Sequence, residues 1–578
     1  MSSPGNPPAS PPTAGKPREQ WSGQLGFLLA AIGSAVGLGN IWRFPGVAYS
    51  NGGGAFLIPY LVALLTAGIP ILFLDYALGH RYRGSAPAVF RRLNRKAEAL
   101  GWFQVLIAFV ITIYYAAIIA WAASYVYFSV NKAWGADPVS FLVKDYLQVG
   151  APAVSFDFVP GVLVPLVVVW IVVLIIMAGG VQKGLEKANK VFLPLLVVLF
   201  VGLVIRGLTL PGAVEGLNAF FTPDFTALGD PGVWIAAYSQ IFFSLSIAFG
   251  IMLTYASYLP RRANLGGTGL VAAFANSSFE ILAGIGVFAT LGFMAHAEGT
   301  TIDRLEGITG VGLSFMTFPA LINEMPGGEI FGVLFFLSLV LAGLTSIISL
   351  LEVVTAAFQE KLDLSRNASV AIVGGITTVL SVLFFSTTNG LNMLDVVDKW
   401  VNEIGIVTSA IVMTLLVTYV LRKLKVLERH LNGISSLPIG AWWRVLVGVV
   451  TPIMLVVMLV ATVRELLTEG YGGGDYPASF TNTFGWGTVG VMVVLAFVLA
   501  LIPWKTDVDA RSEYDDGGEG LPVHSVLPPD EDRYGHPLGT HTDQGYHAGT
   551  DPEIARPPRF HGSHGAHDRT QHEKEGDR

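Results

Sequence analysis

The chain contains no cysteine, which excludes disulfides, thiol nucleophiles and cysteine-ligated metals. Charge is scarce too: Asp, Glu, Lys and Arg make up 13% of its 578 residues, where a soluble domain carries roughly a quarter. A soluble globular fold is therefore excluded. No nucleotide-binding loop, catalytic triad or transition-metal motif is present, so an enzyme is not expected. What is abundant is apolar surface, with 52% hydrophobic residues and a mean hydropathy of +0.58.

The apolar residues gather into twelve runs, near 24–47, 54–78, 102–130, 162–180, 188–208, 230–256, 268–295, 328–358, 368–387, 395–421, 443–466 and 485–504. A helix of about 20 such residues crosses a hydrocarbon core of about 30 Å. The expectation is an all-α membrane protein of twelve transmembrane helices. Lys and Arg concentrate in HRYRGSAPAVFRRLNRK, QKGLEKANK and LRKLKVLERH, after the second, fourth and tenth runs. The positive-inside rule puts these loops in the cytoplasm and, with an even number of spans, both termini as well, as expected for a multi-pass protein of the cell membrane. Residues 1–17 are rich in Pro, Ser and Gly, and 505–578 are acidic and hold eight of the eleven histidines. Both read as disordered tails flanking a membrane domain at 18–504, and the histidines lack the spacing of a metal site.

One stretch is poor material for a lipid-facing helix: GSAVGLGNIWRFP, residues 33–45, with Gly33, Gly37, Gly39, Asn40, Arg43 and Pro45. Arginine at a helix centre costs about 2.5–3.5 kcal/mol on insertion scales, so Arg43 is expected to face a cavity or a counter-ion. Glycines at this density let the helix unwind, and unwound backbone in a membrane persists only where protein, ion or substrate satisfies it. Freed carbonyls and the Asn40 amide oxygen suit a hard cation. A second interruption, SQIFFSLSIAFG at 239–250, carries Gln240, Ser244, Ser246 and Gly250 five runs later. Two broken helices in corresponding positions of two five-span repeats, here about 24–208 and 230–421 with two further helices, frame a central site in transporters built from inverted repeats.

With NGGGAFLIPY (51–60), YY (114–115), KGLEKANKVFLPLL (183–196), DPGVWIAAYSQIFFSLSIAFG (230–250), TYASY (254–258) and AGLTSI (342–347), the sequence resembles the neurotransmitter:sodium symporter family, in its prokaryotic amino-acid branch, with the LeuT-type fold. The resemblance implies two sodium ions. The first would be held by the Ala35 carbonyl, Asn40, Ser244, Asn276 and the substrate's carboxylate. The second would be held by the Gly33, Val36 and Ala342 carbonyls with the Thr345 and Ser346 hydroxyls. Gly37 stands where amine carriers of the family have aspartate, which implies an amino acid that supplies its own carboxylate. That carboxylate would meet Leu38, Gly39 and Tyr115, the ammonium would meet groups near Ala35, Phe243, Ser244 and Ser246, and Ser34 would also line the substrate site. Ile111, Phe243, Phe249, Ser346 and Leu350 would form a mostly apolar side-chain pocket, implying a neutral apolar substrate. Ala248 departs from the family's usual glycine.

Glu280 lies four residues after Asn276, where the resemblance implies a carboxylate substituting for chloride. Chloride-independent transport is therefore expected. The outer gate would be Arg43 and Asp398, with Gln240 supporting the arginine and Tyr115 and Phe243 closing the lid. The inner gate would be Arg18 and Glu360, with Trp21, Ser257 and Tyr258 around it. Asp75 and Glu352 read as structural hydrogen-bonding groups. The function implied is sodium-driven amino-acid import by alternating access, with the lipid bilayer as surroundings and neither nucleic acid nor an obligate protein partner. Two alternatives stay open: the same fold with another small substrate or a proton drive, and a sensor or ion-conducting protein that does not transport.

Overall fold

The computed structural model describes residues 19–223, 225–261, 263–305, 310–505 and 508. The expected tails, Lys505 and Val508 apart, and Arg18 lie outside these residues. Among the described residues all extended regular structure is helical, with one isolated bridge between Phe158 and Thr387.

The membrane-length helices and the halves of the broken ones are, in chain order, α1 (Gln24–Ala35), α2 (Gly39–Ser50), α3 (Gly54–Tyr82), α4 (Arg95–Ser129), α5 (Pro160–Ala178), α6 (Val181–Leu208), α7 (Pro231–Ser244), α8 (Ile251–Ser257), α9 (Leu265–Glu298), α10 (Gly328–Leu362), α11 (Arg366–Phe385), α12 (Gly390–Val420), α13 (Ala441–Thr468) and α14 (Ala478–Leu501), with shorter helices such as Ala86–Leu93 and Leu424–Ile434 between them. Ten are individually long and apolar enough to cross a membrane, and α1 with α2, bent by 49°, makes an eleventh span. The count by length falls one short of the twelve expected. The difference is the run at 230–256, which is divided into α7 and α8 by six residues outside regular helix. Both repeats thus begin with a broken helix.

The breaks and ends follow local chemistry. Asp230 caps α7 by accepting from Gly232 N (2.8 Å), with Pro231 in the first turn, and Asn264 caps α9 through Gly267 N (3.0 Å). The α7–α8 link holds Ser246 at φ 53° and Ala248 at φ 66°, left-handed angles that cost a side-chain-bearing residue about 1–2 kcal/mol. Two bonds hold that geometry: Ala248 N donates to Asp75 Oδ2 (2.9 Å) and Ser409 Oγ donates to Ala248 O (2.6 Å). Around these breaks, α4 and α10 pack along one another as the inner scaffold. The most apolar part of α4 is 89% buried within the protein, whereas that of α14 is 17% buried and faces outward. Hydrophobicity marks both as spans; only packing separates scaffold from lipid-facing surface.

Candidate substrate and ion site

The two breaks meet at a cavity of about 40 Å³ lined by Ser34, Ala35, Gly37, Gly39, Asn40, Ile111, Tyr115, Phe243, Ser244, Ser246, Phe249, Ile251, Ser346 and Leu350. All but Ile251 were singled out in the sequence. Ile251 was missed because it starts the helix after the break, where an isoleucine carries no signal beyond packing. Gly37 is tightly enclosed: a Cβ there would lie 2.5 Å from Ser346 Oγ and 3.0 Å from Tyr115 OH. At Gly39 a Cβ would run into the Phe243 ring. Leu38 N donates to Tyr115 OH (3.2 Å), so these two expected carboxylate-binding groups adjoin. Ser246 Oγ and Ser346 Oγ both donate to Ser34 O (3.3 Å each), tying α10 and the second break to the first.

The residues expected around the first sodium form a hydrogen-bonded chain. Asn40 Oδ1 accepts from Gly37 N (2.9 Å), Asn40 Nδ2 donates to Asn276 Oδ1 (2.8 Å), and Asn276 Nδ2 donates to Ser244 Oγ (2.5 Å). At the second place Thr345 Oγ1 donates to Ala342 O (2.9 Å), and a Cβ on Gly33 would lie 3.6 Å from Thr345 Cβ. Neutral carbonyl, amide and hydroxyl oxygens fit a hard monovalent cation. No group of three or more His, Asp or Glu suited to a metal occurs among the described residues.

Glu280, fully buried, accepts from Gln240 Nε2 (2.6 Å) and from Tyr60 OH. This corrects the support expected for Arg43: Gln240 gives its amide to Glu280. Arg43 instead lies over the Phe243 ring at 4.5 Å, and its Nη1 has no hydrogen-bond partner among the described residues. Tyr60 was missed because a tyrosine in an aromatic-rich apolar run looks like packing.

Above the small cavity opens a vestibule of about 760 Å³ that shares Gly39, Tyr115 and Phe243 with it and is also lined by Arg43, Asp398, Asn402 and Glu465. Arg43 and Asp398 face the same space without an ion pair within 4.0 Å; Asp398 accepts from Tyr114 OH (2.7 Å) and Asn402 Nδ2 (2.8 Å). The opposite face is closed. Trp21 Nε1 donates to Tyr255 O (2.9 Å), Trp21 N donates to Tyr258 O (3.2 Å), and the Trp21 ring packs edge-on against Tyr255 and Tyr258. Glu360 accepts from Ser85 N and Oγ (2.7 Å each), and Arg83 Nη1 donates to Ser257 O (3.3 Å). Beside them Arg366 pairs with Glu352 (2.7 Å), which also accepts from Tyr258 OH (2.7 Å). Glu352 therefore belongs to an ion network on this face, and no spacing in the chain signals its pairing with Arg366.

A bundle with two broken helices meeting at a small central cavity, between a large vestibule and a face sealed by side-chain contacts, has the architecture of a multi-pass membrane transporter. The sodium:neurotransmitter symporter family matches residues 18–142 and 135–506. An uncharacterized sodium-dependent transporter of Methanocaldococcus jannaschii is 41% identical over 490 residues, 84% of this chain and 98% of that protein. The human sodium- and chloride-dependent neutral and basic amino acid transporter B(0+) is 28% identical, covering 84% of this chain and 85% of its own length. The crystal structure of MhsT in complex with L-phenylalanine superposes with a TM-score of 0.66 at 32% identity, over 77% of this chain and all of MhsT. The chain belongs to the sodium:neurotransmitter symporter family. It is a sodium-dependent membrane transporter with the LeuT-type fold, and not an enzyme.

Proposed function

We propose that the protein imports an amino acid with a neutral, apolar side chain by alternating access, coupled to two sodium ions and independent of chloride. One observation carries this reading: none of the residues lining the small cavity is charged. A zwitterion satisfies such a site, its carboxylate taken by Leu38 N, Gly39 N, Tyr115 OH and the first sodium, and its ammonium by oxygens around Ser34, Ala35, Phe243, Ser244 and Ser246. Ile111, Phe249, Ile251 and Leu350 receive the side chain. MhsT, solved with L-phenylalanine, supports this substrate class.

The second sodium lies among the Gly33, Val36 and Ala342 carbonyls, Thr345 and Ser346. Glu280 supplies beside Ser244 and Asn276 the negative charge that chloride would otherwise bring. The sealed face, which gathers Trp21, Arg83 and Arg366, is cytoplasmic on the distribution of basic loops, and the vestibule is extracellular. Arg43 and Asp398 then form the outer gate. The membrane potential contributes about 2.3 kcal/mol per charge per 100 mV to each inward cycle.

Uptake of a panel of labelled amino acids into proteoliposomes tests the reading, with an inward sodium gradient or with sodium replaced by choline. Concentrative uptake of aliphatic or aromatic amino acids only in sodium is expected, undiminished when gluconate replaces chloride. Binding without accumulation would mean a sensor instead.

A further inference from the structure

Asn189 lies on α6 inside the bundle and is fully buried. Its Nδ2 donates to Leu185 O one turn back (2.9 Å), while its Oδ1 has no hydrogen-bond partner among the described residues. An amide oxygen left without a donor in a dry interior costs about 1–3 kcal/mol. The surroundings of that oxygen identify what it serves. A Cβ on Gly33 would collide with Asn189 Oδ1, and the same point lies 3.6 Å from Thr345 Cβ. Asn189 therefore reaches from a third helix to the place where α1 and α10 bring Gly33 and Thr345 together. A contact from the Gly33 Cα–H is too weak to satisfy an amide carbonyl.

We propose that Asn189 Oδ1 is an additional oxygen ligand of the second sodium, directly or through one water, contributed by α6. This rests on the placement of that ion among Gly33, Val36, Ala342, Thr345 and Ser346. A neutral amide strengthens the site without a fixed charge, so the ion is still released when the bundle rearranges. The donor side of the same amide, bonded to its own helix, holds the oxygen in place.

Sodium alone is the probe, because the first site needs the substrate's carboxylate and the second does not. Binding of radioactive sodium to the purified full chain without amino acid is measured for the unmodified protein and for the Asn189→Ala, Asn189→Asp and Thr345→Ala variants. Asn189→Ala is expected to raise the half-saturating sodium concentration about tenfold, as loss of a supporting ligand commonly does. Asn189→Asp keeps an oxygen and loses the bond to Leu185; it is expected to bind sodium at least as well as the unmodified protein. If Asn189→Ala binds within twofold of the unmodified protein, or Ala and Asp weaken binding equally, the proposal is wrong and the residue only braces its helix. If Thr345→Ala leaves binding unchanged, the placement of the second ion fails first.

Discussion

At the scale of single residues the site is decided by what is missing from it. Gly37 leaves room between Ser346 Oγ and Tyr115 OH, so even a methyl group there overpacks the site at a cost of about 1–3 kcal/mol. Gly37→Ala is expected to weaken amino-acid binding about ten- to a hundredfold, measured by equilibrium binding of whichever substrate the uptake panel identifies. Loss of uptake with unchanged binding would contradict that. Glu280 yields the complementary test. Glu280→Ser keeps a small polar group near Gln240 and Tyr60 but removes the charge, so uptake by the variant is expected to fall in gluconate and recover in chloride. The legible residues were those out of place in an apolar run, such as Asn40, Arg43 and Glu280. The illegible ones were ordinary residues given a task by geometry: Tyr60, Ile251, and Asn189 within a basic motif. Which partner Gln240 takes, Arg43 or Glu280, depends on a rotamer that no spacing encodes.

At the scale of elements the breaks are built by side chains remote in sequence. Asp75 on α3 and Ser409 on α12 fix the α7–α8 link at Ala248, and a pattern of glycines locates a break without saying what holds it open. Asp75→Ala removes the acceptor of a buried N–H and is expected to destabilise the fold by about 1–3 kcal/mol, read as a lower melting temperature in detergent. The helix Leu424–Ile434, between α12 and α13, is clamped differently: His430 Nε2 and His80 Nδ1 lie 2.9 Å apart, and His80 Nε2 bonds Pro260 O (2.9 Å). Burial and the charges of Arg81 and Arg83 push the His430 imidazole down to about 3. Below its unfolded value near 6.5 the unfolded chain takes a proton that the native state refuses. Stability present above pH 6.5 is therefore lost as pH falls toward 3. Melting temperature is expected to drop between pH 7 and pH 5, and His430→Asn, which cannot ionise there, is expected to flatten that slope.

At the scale of the whole molecule the structure has its vestibule open and its opposite face closed, and the strength of that closure sets the balance between states. The closing contacts are Trp21 on Tyr255 and Tyr258, the Arg366–Glu352 pair, and the segment after α14. In that segment Trp504 Nε1 donates to Glu98 Oε1 (2.9 Å), which also receives Lys361 Nζ (2.5 Å), and Lys505 N donates to Lys361 O (3.1 Å). These contacts tie the segment before α1 to α8, α10 to α11, and the segment after α14 to α4 and α10, so where opening parts those elements, weakening a contact lowers the free energy of opening by its own contribution. A change of about 1.4 kcal/mol alters the ratio of the two states tenfold. The absence of cysteine makes this measurable, because one introduced thiol is the only one present. With Ala236→Cys in the vestibule wall, labelling by a membrane-impermeant maleimide reports how much of the protein is open on that side. Adding Glu352→Gln or Trp504→Ala is expected to slow labelling as the population moves to the other state, and saturating sodium is expected to restore the rate by favouring the open vestibule. Equal rates in all three backgrounds would mean that the sealed face is held by packing alone and that these ion and indole contacts are not its latch.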